Sequence, residues 1–197
     1  MVALSCLVLF AWLTAAVVAQ RTLAWDESVM LAVGRLRSEP ITWWMKIVSL
    51  MGSGAIEIPV ALLLLWWLFS RGPRRVAYTY ASATLSSWAL YALTKLAVQR
   101  PRPRVIAHLS HDAGWYSYPS GHTMLAPLVF VLGAILWSRT WVRADARLGL
   151  VLLALGLCLA IAFSRVYLGA HFPTDVIGGL LLGTALSAGW MLSLKAD

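Results

Sequence analysis

The chain has 197 residues, of which 60% are hydrophobic and 12% charged, and sixteen Lys and Arg outnumber eight Asp and Glu. Soluble domains are about 45–50% apolar and about 25% charged, so this composition indicates an integral membrane protein, with a single domain over residues 1–197. It excludes a disordered chain and argues against nucleic-acid binding, because the basic residues lack a solvated scaffold. A disulfide scaffold is excluded too, since Cys6 and Cys158 both lie within apolar runs.

Six apolar runs are long enough to predict membrane-spanning helices. They are residues 2–19, 47–69, 76–98, 123–137, 148–163 and 176–194. Gly52, Gly54 and Pro59 interrupt the second run, so we expect it to begin as an interfacial turn and to span only from Ile58. The Trp-containing residues 21–46 predict short amphipathic helices on the membrane surface. The expected fold class is an all-α bundle of six transmembrane helices.

The first run has a second interpretation, because Val17-Val18-Ala19 resembles the cleavage site of a signal peptide. A signal peptide has a Lys or Arg before its apolar stretch, and this chain has neither residue there. We therefore favour a retained span. Either route delivers Gln20 to the outer side of the membrane, so the topology of the remaining chain is unaffected.

Six spans distribute the loops between two membrane faces, and the basic residues help to orient them. Seven basic residues fall on one face, namely Arg71, Arg74, Arg75, Arg139, Arg143, Arg147 and Lys195. Nine basic residues fall on the other face. Six remain there when Lys95, Arg102 and Arg165, which are assigned below to a functional site, are not counted. The positive-inside rule thus favours the first face, with both termini, as cytoplasmic.

Three polar clusters share the other face, which is therefore the outer one. They are Lys95 with Arg100, Arg102 and Arg104; Pro119-Ser120-Gly121-His122; and Ser164-Arg165 with His171 and Asp175. Ionisable side chains at membrane-embedded helix ends are costly, so they indicate function. Converging Lys and Arg side chains predict an anionic ligand, and the absence of a carboxylate cluster argues against a divalent metal.

The second and third clusters add groups that can react with such an anion. Ser120 suits the N-cap of a helix and Gly121 permits close backbone approach, which makes a second anion site. Asp175 follows His171 by four residues, so its carboxylate can hold one ring nitrogen while the other attacks an electrophile. His122 could donate a proton to the leaving oxygen. Together the clusters predict a phosphoryl-transfer site.

These patterns resemble the three signatures of the type 2 phosphatidic acid phosphatases, a family that shares its fold with the vanadium haloperoxidases. The signatures are Lys-x6-Arg-Pro, Pro-Ser-Gly-His and Ser-Arg-x5-His-x3-Asp. Lys95 and Arg102-Pro103 match the first, residues 119–122 the second, and Ser164-Arg165, His171 and Asp175 the third. All three occur in order within residues 95–175.

The resemblance implies a role for each matching residue. The phosphate oxygens would be held by Lys95, Arg102, Arg165, Ser120 and the Gly121 amide. His171 would form a phosphohistidine with Asp175 orienting it, and His122 would protonate the leaving group and later activate water. Members of the family need neither a metal nor another cofactor.

Several polar residues match no signature. Arg100-Pro101 is a second Arg-Pro pair, and we expect Arg100 and Arg104 to be accessory residues that meet a diphosphate or a lipid head group. His108 and His111 are expected in a solvated loop. Glu57 is expected to be a polar residue at the membrane interface.

The resemblance implies a bacterial lipid phosphatase on the outer face of the cytoplasmic membrane, whose partners are the bilayer and a lipid phosphate. We favour undecaprenyl diphosphate as substrate, with phosphatidic acid or phosphatidylglycerol phosphate as the alternative. A lipid phosphotransferase is a rival, as is a non-catalytic binder of anionic lipids, although the complete set of His122, His171 and Asp175 argues against the binder.

Overall fold

The computed structural model describes residues 1–110, 114, 116–141 and 143–194, and over these residues the chain is helical and contains no strand. Its helices are α1 (Val2–Val18), α2 (Leu23–Gly34), α3 (Glu39–Met51), α4 (Gly54–Arg71), α5 (Arg74–Val98), α6 (Gly121–Ala126), α7 (Gly133–Trp141), α8 (Ala144–Tyr167) and α9 (Pro173–Ser193). A π-helical segment, Pro127–Leu132, joins α6 to α7. The prediction of an all-α fold is confirmed.

Several of these helices are suited to crossing a membrane. Four described stretches are long and apolar enough, namely Glu39–Arg71, Gly121–Arg139, Ala146–Tyr167 and Pro173–Ser193. α1 and α2 qualify only as a pair, which is bent by 94° at its break, so the described residues hold four or five candidate spans. α5 covers the predicted third span, but its many Ser, Thr and Tyr side chains make it less apolar. A multi-pass helical protein is supported, whereas the count of six spans stays a prediction.

The predicted interruption near Gly52 is present, because α3 ends at Met51 and α4 begins at Gly54. The second helix of this pair therefore starts earlier than Ile58, the residue from which we expected it to span. Residues 21–46 form α2 and the first part of α3, as the sequence predicts. Their position on the membrane surface stays a prediction.

α9 lies at the centre of the packing and contacts α1, α5, α6 and α8. Two glycines bring it unusually close to α6. A Cβ at Gly179 would overlap Thr123, and a Cβ at Gly183 would overlap the backbone of Met124. Small residues at such crossings let membrane helices approach closely. The N-terminal ends of α6 and α9, which carry the second and third polar clusters, are thereby held together.

The segment between α5 and α6 is tied to the rest of the protein at several points. The Leu109 N–H donates to the Leu168 carbonyl over 2.8 Å, and the Ser117 N–H donates to the Arg100 carbonyl over 2.7 Å. Tyr118 is fully buried, and its hydroxyl lies 2.8 Å from Thr14 Oγ1 on α1. This segment therefore holds the first and second clusters against the ends of α8 and α9.

Candidate active site

His171 and Asp175 form the centre of the polar region. Gly169, in the left-handed conformation with φ of +76°, turns the chain after α8, and Pro173 then starts α9. This geometry places His171 Nδ1 3.5 Å from Asp175 Oδ2, with both side chains buried. The Phe172 N–H donates to the same Asp175 oxygen over 2.9 Å. The contact from Nδ1 is longer than a formed hydrogen bond, as is common at catalytic pairs before substrate binds.

Ser120 joins the second cluster to the third. It is the N-cap of α6, and its backbone N–H donates to the Asp175 carbonyl over 3.0 Å. Its carbonyl accepts the Met124 N–H over 3.1 Å, as expected at a helix start. Its buried hydroxyl has no hydrogen-bond partner within the described part of the chain. An unsatisfied buried hydroxyl at a helix N-terminus is suited to a phosphate oxygen.

Lys95, in the last turn of α5, approaches the same point. Its Nζ lies 3.5 Å from the Pro119 carbonyl and 4.8 Å from the centre of the Tyr91 ring. Tyr91 also packs on Gly121, where an added Cβ would lie 3.0 Å from the ring. Sequence reasoning missed Tyr91, although its position four residues before Lys95 predicts that the two share a helix face.

The two site arginines reach the region from different elements. Arg102 donates from Nε to the Gly114 carbonyl over 2.7 Å and from NH1 to the Ala170 carbonyl over 2.8 Å, beside His171. Arg165, in the last turn of α8, is 1% exposed and donates to Ser49 Oγ over 2.6 Å. Both guanidinium groups are thus held by the protein before any ligand arrives.

Burial and these cations together lower the pKa of His171. Burial, together with the positive charges of Arg165, Arg102 and Lys95, lowers the pKa of His171 well below its ordinary value of 6.5. The imidazole is therefore neutral at neutral pH. A neutral ring whose Nδ1 faces a carboxylate can present a lone pair on Nε2, which is what a nucleophile requires.

His122 completes the set in the first turn of α6. The break between α3 and α4 lies against it, since a Cβ at Gly52 would be 3.3 Å from His122 Cβ. Ser49, three residues before that break, contacts Arg165. The structure therefore brings all eight predicted site residues to one end of the bundle, where α5 and α8 end and α6 and α9 begin.

Arg100 differs from its sequence-based interpretation. We expected an accessory residue that meets a head group, but its side chain is 9% exposed and lies 2.7 Å from both Asp26 and Asp175. Asp26, on α2, carried no sequence signal for this contact because it is 74 residues away along the chain. Arg100 thus belongs to the protein interior.

The other unassigned residues have different positions. Arg104 and His108 are exposed, and His111 lies outside the described residues. Glu57, which we expected at a polar interface, is 2% exposed and lines a cavity of about 230 Å³ with Ile58, Ala61, Leu62, Thr84, Trp88, Leu125, Leu128 and Val129. That expectation is wrong, because the first turn of α4 packs against α5 and α6.

Apolar helices and a neutral histidine surrounded by cations are the features of a membrane phosphatase. The profile of the PAP2 superfamily matches residues 75–196, and the chain belongs to this superfamily. The family predicted from the three motifs is confirmed.

Individual relatives agree with this family. The chain is 29% identical over 147 residues to the putative undecaprenyl-diphosphatase YbjG of Escherichia coli, covering 72% of this chain and 69% of that one. It is 32% identical over 147 residues to an undecaprenyl-diphosphatase of Sulfolobus acidocaldarius, covering 73% and 66%. The chain thus spans about two thirds of the length of these curated relatives.

A solved structure matches nearly the whole chain. It is the transmembrane PAP2 type phosphatidylglycerolphosphate phosphatase of Bacillus subtilis, with a TM-score of 0.90, 25% identity, and coverage of 99% of this chain and 97% of that one. The prediction of a membrane phosphatase is confirmed, and the relatives' names refer to lipid-linked phosphates.

Proposed function

We propose that the protein hydrolyses a lipid-linked phosphate or diphosphate through a phosphohistidine on His171. The observation that carries this proposal is the buried, neutral His171 next to Asp175, within the field of Lys95, Arg102 and Arg165. The arrangement supplies a nucleophile, an orienting carboxylate and a cationic clamp in one place, which is the requirement for phosphoryl transfer.

The reaction takes place in two displacements. His171 Nε2 attacks phosphorus, the bond to the lipid oxygen (or to the inner phosphate of a diphosphate) breaks, and His122 protonates the departing oxygen. His122 then takes a proton from water, whose oxygen attacks the phosphohistidine and releases inorganic phosphate. Lys95, Arg102, Arg165, Ser120 and the Gly121 amide hold the phosphate oxygens throughout.

Asp175 acts through His171 in both displacements. When Nε2 bonds to phosphorus, the imidazole becomes positively charged, and the carboxylate 3.5 Å from Nδ1 stabilises that charge. Breakdown of the phosphohistidine returns the ring to its neutral state. No metal ion has a place in this scheme, as the family resemblance implies.

We further propose that the chain is a single domain with six spans in the cytoplasmic membrane, both termini inside and the site at the outer interface. α1, α4, α5, the continuous stretch 121–141, α8 and α9 are the six helices that would span. Their site ends share one face, opposite the two arginine clusters near residues 71–75 and 139–147, which suits the positive-inside rule.

Undecaprenyl diphosphate is the substrate we favour, because two relatives are named for that activity. Phosphatidylglycerol phosphate is the second candidate, since the matching solved structure is a phosphatase for it. Comparing kcat/KM for these two lipids and phosphatidic acid decides between them, because specificity is the ratio of those values. If phosphatidylglycerol phosphate gives the highest kcat/KM, the preference for the diphosphate is wrong.

The mechanism is tested by His171→Ala in purified protein, assayed for phosphate release in detergent with EDTA present. We expect activity to fall by roughly a thousandfold or more, as when other enzymes lose a nucleophile. An acid-labile phosphoryl label trapped on the wild-type protein should be absent from the variant. His108→Ala, at an exposed histidine, is the matched control and should behave as wild type.

Two results would contradict this scheme. Wild-type-like turnover by His171→Ala would remove the nucleophile assignment, and loss of wild-type activity in EDTA would contradict metal-free hydrolysis. Turnover only after an alcohol acceptor is added, with the phosphoryl group recovered on that alcohol and not as inorganic phosphate, would instead identify a phosphotransferase.

A further inference from the structure

Three elements that are distant in sequence meet in a buried ion-pair network beside the site. The Arg100 guanidinium donates from NH2 to Asp26 Oδ2 on α2 and from NH1 to Asp175 Oδ1 on α9, each over 2.7 Å. Both carboxylates are completely buried and Arg100 is 9% exposed. Its guanidinium also lies 4.1 Å from the centre of the Phe172 ring. Buried charges of this kind are costly unless each one is paired, so the network is a built feature.

Asp26 is bound to the start of α9 as well as to Arg100. One of its oxygens accepts the Thr174 N–H over 2.9 Å, and the other accepts the Thr174 hydroxyl over 2.7 Å. The same hydroxyl accepts a hydrogen bond from Arg100 NH1 over 2.7 Å. α2 therefore fixes the turn of α9 from which Asp175 projects toward His171.

Each oxygen of Asp175 has a separate function in this arrangement. Oδ1 accepts from Arg100, whereas Oδ2 accepts the Phe172 N–H over 2.9 Å and faces His171 Nδ1 at 3.5 Å. Rotation of the carboxylate would break the contact with Arg100. The Arg100 guanidinium thus holds the Asp175 carboxylate in the orientation that faces His171 Nδ1.

The charge balance of the network matters as much as its geometry. With both carboxylates ionised, the two acids and one guanidinium have a formal net charge of −1 in a buried region. If Asp26 were neutral, Arg100 would cancel the charge of Asp175 completely. With Asp26 charged, a net negative charge remains beside the ring that becomes positive when His171 is phosphorylated.

We propose that Asp26 and Arg100 are positioning residues of the reaction: Arg100 orients Asp175, and Asp26 preserves the negative charge that stabilises the phosphorylated His171. This inference rests on the proposed function. Among the described residues, Arg100 and Asp26 form no hydrogen bond or ion pair with His171, so their proposed action is through Asp175. Loss of partners at this distance from the reacting atoms typically reduces activity by roughly 10–100-fold.

Asp26→Asn tests the charge, because asparagine keeps the shape and one of the two acceptor oxygens but removes the negative charge. We expect kcat to fall roughly tenfold with KM within about twofold of wild type, since the ground-state phosphate contacts are untouched. Thermal stability is measured alongside kcat, because the variant loses one of the two buried ion pairs of Arg100. A wild-type kcat in Asp26→Asn overturns the role proposed for the charge.

The orientation by Arg100 needs a charge-balanced variant, because Arg100→Gln alone leaves two buried carboxylates without a cation and can fail to fold. Asp26→Asn with Arg100→Gln keeps the same net charge of −1. We expect the double variant to fold with kcat reduced roughly 10–100-fold. A folded double variant with wild-type kcat shows that Arg100 is only structural and overturns the proposal.

Arg37→Gln is the matched control for general loosening of the packing. Arg37 follows α2 and donates from Nε and NH2 to the Tyr167 carbonyl over 3.0 and 2.7 Å, so it also fastens this region to α8, but it has no contact with Asp175. We expect its kcat to match wild type. If Arg37→Gln lowers kcat as much as the double variant does, the effect is one of packing and the proposal is wrong.

One readout is independent of turnover and therefore of the proposed function. In protein labelled with ¹⁵N-histidine, the His171 Nδ1 resonance, assigned by its loss in His171→Ala, reports the contact between Nδ1 and the Asp175 carboxylate. We expect it to move in Asp26→Asn and in the double variant, and to stay in place in Arg37→Gln. An unchanged resonance in Asp26→Asn overturns the inference, whereas failure of the wild type to release phosphate from any lipid contradicts only the proposed function.

Discussion

In the proposed mechanism His171 meets two demands that usually conflict, because a nucleophile must be neutral whereas a phosphate site must be cationic. Burial first, and then the charges of Arg165, Arg102 and Lys95, lower its pKa below 6.5. The cations that we propose bind phosphate therefore add to the effect of burial in keeping the ring unprotonated. In the proposed mechanism, the same charges serve both the binding site and the reactive base.

This coupling predicts the pH dependence of the reaction. Protonation inactivates His171, so a lowered pKa means that the active form persists as the pH falls below 6.5. We expect the acid limb of kcat/KM, corrected for ionisation of the substrate, to lie well below that value. Arg165→Gln removes one of the positive charges that lower the pKa of His171, so this pKa should rise and the acid limb should move to higher pH.

Arg104→Gln is the control for this shift, because Arg104 is exposed and is not one of the cations that lower the pKa of His171. Its acid limb should coincide with that of the wild type. A wild-type limb at or above pH 6.5, or equal limbs in Arg165→Gln and wild type, would show that the cations do not hold His171 neutral.

At the scale of helices, α4 contains a side chain that its surroundings do not favour. Glu57 is buried, and its Oε1 has no hydrogen-bond partner within the described residues. An unsatisfied buried polar group costs about 1–3 kcal/mol. We therefore expect Glu57→Leu, which fits the apolar lining of the neighbouring cavity, to raise the unfolding temperature in detergent.

Glu39→Leu on α3 is the matched control, since Glu39 is exposed and its replacement should leave the unfolding temperature nearly unchanged. A lower unfolding temperature in Glu57→Leu than in wild type would show that the carboxyl stabilises the protein.

The elements also show what local sequence can predict. The Gly52-Ser53-Gly54 break and the helix starts at Ser120 and Pro173 follow from residue preferences that act within one turn. The contact between Asp26 and Arg100 cannot be predicted in this way, because tertiary packing brings α2 against the segment that follows α5. Arg100 was accordingly expected to meet a head group, and the structure shows it within the protein.

At the scale of the molecule, the family was accessible from the sequence because phosphoryl transfer constrains both residue types and spacing, and the predicted site residues lie together at one end of the bundle. His171 and Asp175 need one helical turn between them, and Lys95 and Arg102 belong to one cluster. The number of spans is harder to predict from the sequence, because a membrane-spanning helix can carry polar side chains that lower its mean hydropathy when packing and hydrogen bonds satisfy them. α5 tolerates Ser87 and Thr84 because both hydroxyls donate to carbonyls within the helix.

The proposed topology places the site end of the bundle outside and the arginine clusters inside, which single cysteines can test. In a chain with Cys6 and Cys158 replaced, Ala107→Cys and Arg71→Cys introduce thiols at exposed positions near opposite faces. A membrane-impermeant maleimide should label Ala107→Cys in intact spheroplasts and Arg71→Cys only after permeabilisation. The reverse pattern would invert the topology, and labelling of both from outside would contradict the assignment of α4 and α5 as spans, because these helices connect the two faces.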